Sequence, residues 1–282
     1  MMGMKVDVVL LTKNSNSSYF KYVLDSLYRN VDVNRLIVVD GGSTDGTIEV
    51  LKKHPRVEII YDTEGTRATA REIGIKCVET EWFLFLDSDV VLCKDWQRIA
   101  EKYIRDDVGA IQGYDIPVRS PEIEDYYYAI TKLRRLFRRE ENILSWRGFT
   151  GDVLIRTELV KDLKIPKYLH VFEDYYIKRH IERKGFKWVI PRDLYCYHFM
   201  GERLSRVRED GYWVGYFSCV FNRYSTMEVL KALITIFPKT VFAFCVRPNT
   251  RMLRYQVLRQ VYFTVGFMRR YFMDRECDES LL

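Results

Sequence analysis

Cysteine is sparse in this sequence, and its placement excludes two common kinds of site. Six cysteines are scattered along 282 residues, and no Cys-x-x-Cys pair or Cys/His cluster has zinc-ligand spacing. We interpret them as reduced thiols of a cytosolic protein. A chain of this length buries roughly three quarters of its extended surface, so its stability requires no metal or disulfide. A metal ion, if one binds, therefore serves chemistry.

The amino terminus lacks the features of a secretion signal. Residues 1–7 contain one lysine and run directly into a strand-like stretch, without an apolar segment and small-residue cleavage site. We therefore expect the protein on the cytoplasmic side. A content of 48% apolar and 30% charged residues is ordinary for a globular protein. It excludes disordered, collagen-like and disulfide-scaffold classes.

Positive charge is concentrated in the last third of the chain. Residues 1–200 carry 32 basic and 31 acidic side chains, whereas residues 201–273 carry 12 and 4, interleaved with aromatic and aliphatic residues. Such a stretch favours an anionic partner, either a membrane surface or a nucleic acid.

Two apolar stretches lie in this basic region. Residues 229–246 have about the length of a membrane span, but Lys231, Pro238 and Lys239 argue against a lipid-exposed spanning helix and favour an interfacial or re-entrant segment. Residues 251–273 have an apolar body bounded by arginines, as in helices that lie in a membrane surface. The alternative is a helix packed on the core with solvated arginines.

Strand and helix patterns alternate four times within the first 90 residues. The strand-like runs are too apolar to have a solvent-facing side, which predicts a parallel α/β sheet covered on both faces. The alternation weakens beyond Asp115. The strand-like runs are residues 6–11, 36–39, 57–61 and 82–86, and the helical patterns between them are residues 19–27, 44–53 and 67–78.

Polar side chains follow the ends of three of these strands. They are Thr12, Asp40 and the Asp87-Ser88-Asp89 motif. Ligands of open α/β sheets bind at the carboxyl ends of the strands, so these residues indicate one crevice. Two carboxylates at this spacing suit Mg²⁺ or Mn²⁺ shared with substrate phosphates; the alternative is a solvated turn.

The second strand leads into a glycine turn and a helix. In residues 38–47, Ser43 or Thr44 is the expected helix cap, and Asp40 is placed to accept hydrogen bonds from a ribose or base. The spacing differs from the Gly-x-Gly-x-x-Gly fingerprint and from a phosphate loop. A strand-to-helix turn without a ligand is the alternative.

Taken in order, the motifs resemble the nucleotide-sugar glycosyltransferases of family 2 over roughly residues 5–200. Residues 38–47 are similar to the family's V-D-D-G-S-T-D segment, except that Gly41 replaces the second Asp. Residues 70–74 resemble its A-R-N-x-G helix start, with Glu72 in place of Asn. Residues 147–152 take the position of its glycine-containing acceptor segment, and residues 172–185 match its E-D-x-x-x-x-R stretch.

This resemblance implies an α/β protein of the GT-A fold, with a mixed, mainly parallel sheet flanked by helices. Residues 1–200 then form the glycosyltransferase domain. Its Rossmann-like, nucleotide-sugar-binding half is residues 1–115, and its acceptor half is residues 116–200. Residues 201–282 form a helical, basic extension that we expect to associate with membranes.

The implied reaction is metal-dependent, inverting transfer of a sugar from a nucleoside-diphosphate sugar to an acceptor hydroxyl or lipid phosphate. Asp87 and Asp89 hold Mg²⁺ or Mn²⁺ and the diphosphate, and Arg71 helps to neutralise the leaving group. Asp174 is the base and Glu173 its competitor; the alternative is that both carboxylates only stabilise the helix N-terminus. Adjacent helix positions point about 100° apart, so one of the two faces the acceptor.

The remaining candidates complete the expected site. Thr12, Lys13, Asp40 and Ser88 are expected to contact the nucleotide or diphosphate. His198 takes the position of a further metal or diphosphate ligand; the alternative is a satisfied histidine among aromatic residues. The basic cluster of residues 134–139 either binds phosphate on a lipid-linked acceptor or is a solvated face.

Two other function classes are weighed against this one. A sugar-1-phosphate nucleotidyltransferase normally has a glycine-rich basic loop after its first strand, and residues 12–18 contain no glycine. A non-catalytic protein would bind a membrane or a nucleic acid through the basic region. Four carboxylates near one crevice oppose a polyanion, so we expect no nucleic-acid partner. The expected partners are the donor, a glycan or lipid-linked acceptor and an anionic membrane surface.

Overall fold

The computed structural model describes residues 4–118, 120–136, 147–169, 171–201, 204–221 and 226–273. Its contacts divide the chain into two compact units. The first comprises Met1–Ile116 and Ile143–Phe199, and the second comprises Pro117–Asn142 and Met200–Leu282.

Strands and helices alternate in the first half of the chain, and helices dominate its end. The strands are β1 (Val6–Thr12), β2 (Val33–Asp40), β3 (Val57–Tyr61), β4 (Trp82–Asp87), β5 (Val90–Leu92), β6 (Val108–Gln112), β7 (Tyr114–Val118), β8 (Asp152–Arg156), β9 (Lys187–Val189) and β10 (Tyr195–Phe199). The helices are α1 (Phe20–Asn30), α2 (Thr47–Leu51), α3 (Arg67–Cys77), α4 (Trp96–Glu101), α5 (Pro121–Leu136), α6 (Glu173–Arg183), α7 (Val207–Val220), α8 (Thr226–Val246) and α9 (Thr250–Phe272).

The first unit is built on a seven-stranded sheet in the order β3-β2-β1-β4-β8-β6-β9. β1 pairs in parallel with β2 and β4, β2 pairs in parallel with β3, and β9 pairs in parallel with β6. β8 runs antiparallel to both neighbours. This confirms the mixed, mainly parallel sheet. A second sheet has the order β5-β10-β7.

Parallel pairing is stable here because the central strands are apolar on both faces. Val8, Val9 and Leu10 of β1 and the corresponding residues of β2 and β4 are fully buried. α1 closes one side of the sheet with Val23, Leu24 and Leu27, which helical spacing places together. The register sets Thr12 opposite Asp40 and Leu11 opposite Asp87, so the three polar strand ends meet at one edge.

One local expectation was wrong. The helix after β2 begins at Thr47, and its cap is Gly46 with φ of 87°, rather than Ser43 or Thr44. Ser43 lies outside the helix because its hydroxyl and amide bind Asp40. The glycine adopts the left-handed backbone that the tight turn requires.

In the second unit, α7 and α9 pack backbone to backbone. A Cβ added to Gly215 would lie 2.0 Å from the carbonyl oxygen of Phe263, and one added to Gly266 would lie 2.0 Å from that of Tyr212. Gly211 is nearly as close to the backbone of α9. The sequence analysis missed this contact, whose signal was the Gly-x-x-x-Gly spacing of Gly211 and Gly215.

Helix α8 is apolar along most of its length. Its C-terminal part contributes Ala243 to a small core with Ala129 of α5 and Met252 of α9. Among the described residues, Val229–Val246 is the one stretch long and apolar enough to cross a membrane, with mean hydropathy 1.8 and 18% of it buried. Length and composition alone are weak evidence for a span, and Pro238 lies inside this helix.

Candidate functional site

Asp40, at the end of β2, organises the turn that follows it. The hydroxyls of Thr12 and Ser43 donate to its Oδ1 at 2.7 and 2.5 Å, and the amides of Gly42 and Ser43 donate to its Oδ2 at 2.9 and 2.8 Å. Burial favours the neutral acid, but these hydrogen bonds prevail and lower the pKa of Asp40. The structure thus joins Thr12 and Asp40, with Asp40 buried beneath the turn.

The loop after β1 lies beside this turn and beside the Asp-Ser-Asp motif. The Ser15 hydroxyl donates to Ser88 Oγ at 2.9 Å. The exposed Lys13 runs past Gly41, where an added Cβ would lie 3.1 Å from Lys13 Cδ. Lys13 and Ser88 therefore lie at the same sheet edge as Asp40.

Arg71 of α3 links the metal motif to the start of α6. Its guanidinium donates to Asp87 Oδ1 at 3.0 Å and to Glu173 Oε1 at 3.4 Å. Arg71 and Glu173 are buried, and Asp87 is about one-third exposed. Arg71 also lies over the Phe85 ring, 5.0 Å from its centroid. Burial, helped by Asp89, raises the pKa of Asp87, and Arg71 opposes that rise.

His198 lies between two carboxylates. Its Nε2 is 3.4 Å from Asp89 Oδ2, and its Nδ1 is 3.0 Å from Asp115 Oδ2. Pairing of β10 with β5 sets His198 opposite Val90. Val90 directly follows Asp89 in the chain, which brings His198 close to Asp89. Burial opposes the charged imidazolium, but Asp89 and Asp115 raise the pKa of His198 well above its usual value.

Sequence reasoning missed Asp115. It follows the apolar strand β6 by three residues, much as Asp40 and Asp87 end their strands, so the same rule of polar residues near strand ends would have found it. It was overlooked because its partner, His198, is 83 residues away in the chain.

Asp152, the first residue of β8, is another buried carboxyl group in this region. Trp96 Nε1 donates to its Oδ2 at 3.1 Å. Burial and the nearby Asp115 carboxylate raise the pKa of Asp152 to about 8. Asp152 is therefore largely protonated at neutral pH.

Asp174 lies in the first turn of α6 and is held by an arginine. Arg147 Nε lies 3.1 and 3.0 Å from its two carboxylate oxygens. The Arg147 guanidinium also lies over the Phe172 ring, 4.6 Å from its centroid. Burial raises the pKa of Asp174 to about 6, with Arg147 opposing and Glu173 adding to the rise. Arg147 belongs to the predicted acceptor segment of residues 147–152, but its pairing with Asp174 was not predicted.

Glu173 and Asp174 turn to different partners. Glu173 pairs with Arg71 and Asp174 with Arg147, as expected for adjacent helix positions. The second oxygen of Glu173 is buried and has no hydrogen-bond partner in the part of the chain that the structure describes.

No three His, Cys, Asp or Glu side chains among the described residues form a group that could hold a metal ion by themselves. Asp89 and His198 supply an oxygen and a nitrogen at close range, with Asp87 next in the same motif. The basic cluster of residues 134–139 lies outside the residues whose side chains the structure describes.

Comparison with known proteins identifies the family of this chain. The family described as "Glycosyl transferase family 2" matches residues 7–162, more than half of the chain. The SPbeta prophage-derived glycosyltransferase SunS of Bacillus subtilis (strain 168) is 33% identical over 111 residues, which cover 38% of this chain and 25% of that protein. An uncharacterized glycosyltransferase of Haemophilus influenzae is 35% identical over 77 residues, 26% of this chain and 30% of that one. The chain thus spans only about a quarter to a third of these curated relatives.

Solved structures share the fold. Mannosyltransferase PcManGT from Pyrobaculum calidifontis, in complex with GDP-Man and Mn²⁺, has a TM-score of 0.65 and 17% identity, covering 98% of this chain and 89% of that one. S. aureus TarS 1–349 in complex with UDP-GlcNAc has a TM-score of 0.56 and 18% identity, covering 95% and 92%. The family match over more than half of the chain shows that the chain belongs to glycosyl transferase family 2, and the solved structures show that it has the GT-A fold.

Proposed function

We propose that this enzyme transfers a sugar from a nucleoside-diphosphate sugar to an acceptor hydroxyl or a lipid-linked phosphate, in one metal-dependent, inverting displacement. The observation that carries the proposal is a pair of contacts in one Asp-Ser-Asp motif: Asp89 lies 3.4 Å from His198, and Asp87, at the end of β4, pairs with Arg71. Ligands of α/β sheets bind at the carboxyl ends of such strands. The structural neighbours hold GDP-Man with Mn²⁺ and UDP-GlcNAc, which supports a donor of this class.

The donor set fits a divalent cation. Carboxylate oxygens suit Mg²⁺ and Mn²⁺, and an imidazole is compatible with Mn²⁺. No three His, Cys, Asp or Glu side chains among the described residues converge as a metal-holding group, so the pair Asp89 and His198 would need diphosphate oxygens to complete the coordination of the ion. The bound ion would neutralise negative charge that develops on the leaving diphosphate.

Asp115 positions His198 for this role. Without the ion, the raised pKa of His198 keeps both ring nitrogens protonated between Asp89 and Asp115. When the ion binds, Nε2 would lose its proton and offer its lone pair, while Nδ1–H would stay hydrogen-bonded to Asp115. Carboxylates that orient metal-binding histidines in this way typically contribute 10–100-fold to metal affinity. Asp115→Asn should therefore weaken Mn²⁺ binding roughly tenfold or more, measured by calorimetry with the diphosphate present.

The turn that Asp40 organises is the proposed nucleotide contact. Asp40 is buried and its oxygens accept hydrogen bonds from the turn, so it acts by fixing the shape of residues 41–43 beside the donor. Thr12 supports it from β1. Lys13 and Ser88 lie at the accessible rim, where an ammonium and a hydroxyl can meet the diphosphate.

Asp174 is the proposed base. An inverting transfer needs one carboxylate to accept the acceptor proton and no protein nucleophile, and a pKa of about 6 matches that task near neutral pH. Arg147 holds both oxygens of Asp174, so it keeps the carboxylate oriented and must share it with the incoming hydroxyl. Glu173 is the competing candidate; its partner Arg71 also holds Asp87 of the proposed metal motif.

A cytoplasmic location completes the proposal. The scattered cysteines of the sequence, without paired spacing, support a reducing compartment such as the cytosol.

The test is thermal unfolding of the purified protein with UDP, GDP, CDP and dTDP, each with and without Mn²⁺. We expect one diphosphate to raise the melting temperature only when Mn²⁺ is present, since a ligand at 100 times its dissociation constant adds about 2.7 kcal/mol. Asp89→Ala should abolish this shift, whereas Asp174→Asn and the exposed control Asp106→Ala should retain it. The absence of any shift, or a full shift without metal, would contradict the proposal.

A further inference from the structure

Helix α8 carries a row of exposed apolar side chains. Met227, Leu230, Ile234, Phe237 and Val241 are 40–73% exposed and follow one another at intervals of three or four residues. This spacing aligns them on one face over about 21 Å of helix. The buried residues Val229, Thr240 and Ala243 lie on the other side of the same helix.

Helix α9 repeats the pattern. Val257, Val261, Val265, Met268 and Phe272 are 39–54% exposed, again at intervals of three or four residues. The opposite face of α9 contains Gly266, which contacts the backbone of α7. Each helix therefore packs inward with one face and leaves an apolar row outward, and an exposed row of this extent indicates an interaction surface.

Positive charge accompanies the two rows. Residues 226–273 contain eight basic residues and one acidic residue, and α9 contains five arginines and no acidic residue. Arg254 is exposed and lies on the same face as the α9 row, one turn before Val257. Arg251 and Arg269 are exposed on its flank, and Lys231 is exposed on the flank of the α8 row.

These features favour one occupant. A second copy of the chain would bring Arg254 and the flanking Arg251, Arg269 and Lys231 against the same groups of its partner, and like charges across an interface oppose association. A spanning orientation of α8 would bury Lys231 and Lys239 in lipid. An anionic lipid surface satisfies both features, because its acyl boundary accepts the apolar rows and its phosphates pair with arginine and lysine.

We propose that the outward rows of α8 and α9 form a binding surface for anionic membranes, with the apolar side chains inserted at the headgroup boundary. This surface lies wholly in the second unit and is independent of the chemistry proposed above. It goes beyond sugar transfer, since it sets where the enzyme works. A lipid-linked or membrane-bound acceptor would then be encountered at the membrane surface.

The test is sedimentation of the full chain with vesicles. One set is phosphatidylcholine alone, and the other contains about one-third phosphatidylglycerol; each is tested at low and high salt. We expect binding to the anionic vesicles only, weakened by salt because exposed charges are screened. Recovery in the supernatant with anionic vesicles at low salt would overturn the proposal.

Three variants sharpen the result. Ile234→Ser/Phe237→Ser and Val261→Ser/Val265→Ser each remove part of one row and should lower the partition coefficient roughly tenfold or more. Arg251→Gln/Arg254→Gln tests the charge, and Tyr22→Ser, at an exposed aromatic residue of α1, is the matched control. The substituted side chains are exposed, so unfolding temperatures should stay unchanged.

Two other outcomes would overturn the proposal of a membrane-binding surface. Equal binding by both row variants and the wild type would exclude the rows as the contact. Dimerisation by light scattering that the row variants abolish would identify a second copy as the occupant. Because these assays contain no nucleotide and the diphosphate assay contains no lipid, failure of one proposal leaves the other testable.

Discussion

The two units differ in their most prominent side chains. The first unit contains buried or partly buried ion pairs. Arg71 pairs with Asp87 and Glu173, and Arg147 pairs with Asp174. In the second, glycine brings α7 and α9 into backbone contact, while α8 and α9 expose rows of apolar residues. A buried charge needs a partner within the fold, whereas an exposed apolar row needs one outside it. The first unit thus contains the proposed catalytic groups, and the second contains the proposed membrane-binding surface.

The largest expected effect of a substitution in the first unit is a loss of turnover. Asp174→Asn keeps the size of the side chain but cannot accept a proton, so the rate of diphosphate release with acceptor present should fall by roughly 10²–10⁴. Donor binding should be unchanged, because Asp174 pairs with Arg147 rather than with the Asp87 motif.

Glu173→Gln is the comparison for that experiment. It removes the charge that pairs with Arg71 and should retain most of the turnover if Asp174 is the base. Near-normal turnover in Asp174→Asn together with a large loss in Glu173→Gln would reverse the assignment.

The next largest effect concerns the buried pairing itself. Arg71→Met leaves Glu173 buried without its cation, and breaking a buried pair on one side costs about 3–5 kcal/mol. Asp87 adds less, since about one-third of its side chain is exposed and water screens it. Urea unfolding of the variant should show the loss, and Arg71→Met/Glu173→Met should recover part of it. A loss below about 0.5 kcal/mol would mean that the pairing does not stabilise this unit.

The first unit was also the more predictable from sequence. Apolar runs of four to six residues imply a parallel sheet, and a parallel sheet gathers its strand ends, so Thr12, Asp40 and Asp87 were expected together and lie together. That inference needs only periodicity and strand direction.

The partners of the site residues were not predictable in the same way. His198 meets Asp115 across 83 residues, and Asp174 meets Arg147 across 27, in pairings that involve β7, β10 and the segment before β8. Periodicity describes one element at a time and carries no information on which distant elements meet. The α2 start was misjudged for a related reason, because Ser43 binds Asp40 instead of capping the helix.

A smaller effect should come from filling the α7–α9 contact. An alanine in a helix normally stabilises it relative to glycine by up to about 1 kcal/mol. At Gly215 the added Cβ would meet the Phe263 carbonyl, so Gly215→Ala should instead destabilise the protein by about 1–3 kcal/mol, measured by urea unfolding. Gly41→Ala is the matched control, since its Cβ meets only the flexible Lys13 side chain. A stabilised Gly215→Ala protein would show that the two backbones are farther apart.

The smallest expected effect is a difference in pH dependence: turnover by the first unit should change with pH, whereas vesicle binding by the second should not. Asp174, with a pKa of about 6, is protonated below that pH and cannot act as a base, so turnover should fall about tenfold for each pH unit below 6 and level off above it. Arg147 lowers this pKa, so in Arg147→Gln the fall in turnover should begin at a higher pH. If the fall begins at the same pH as in the wild type, Asp174 is not the titrating group. Residues 201–282 contain no histidine, and arginine keeps its charge throughout this range. Vesicle binding should therefore stay constant between pH 5.5 and 8 while turnover changes, because the second unit binds through groups that do not titrate there.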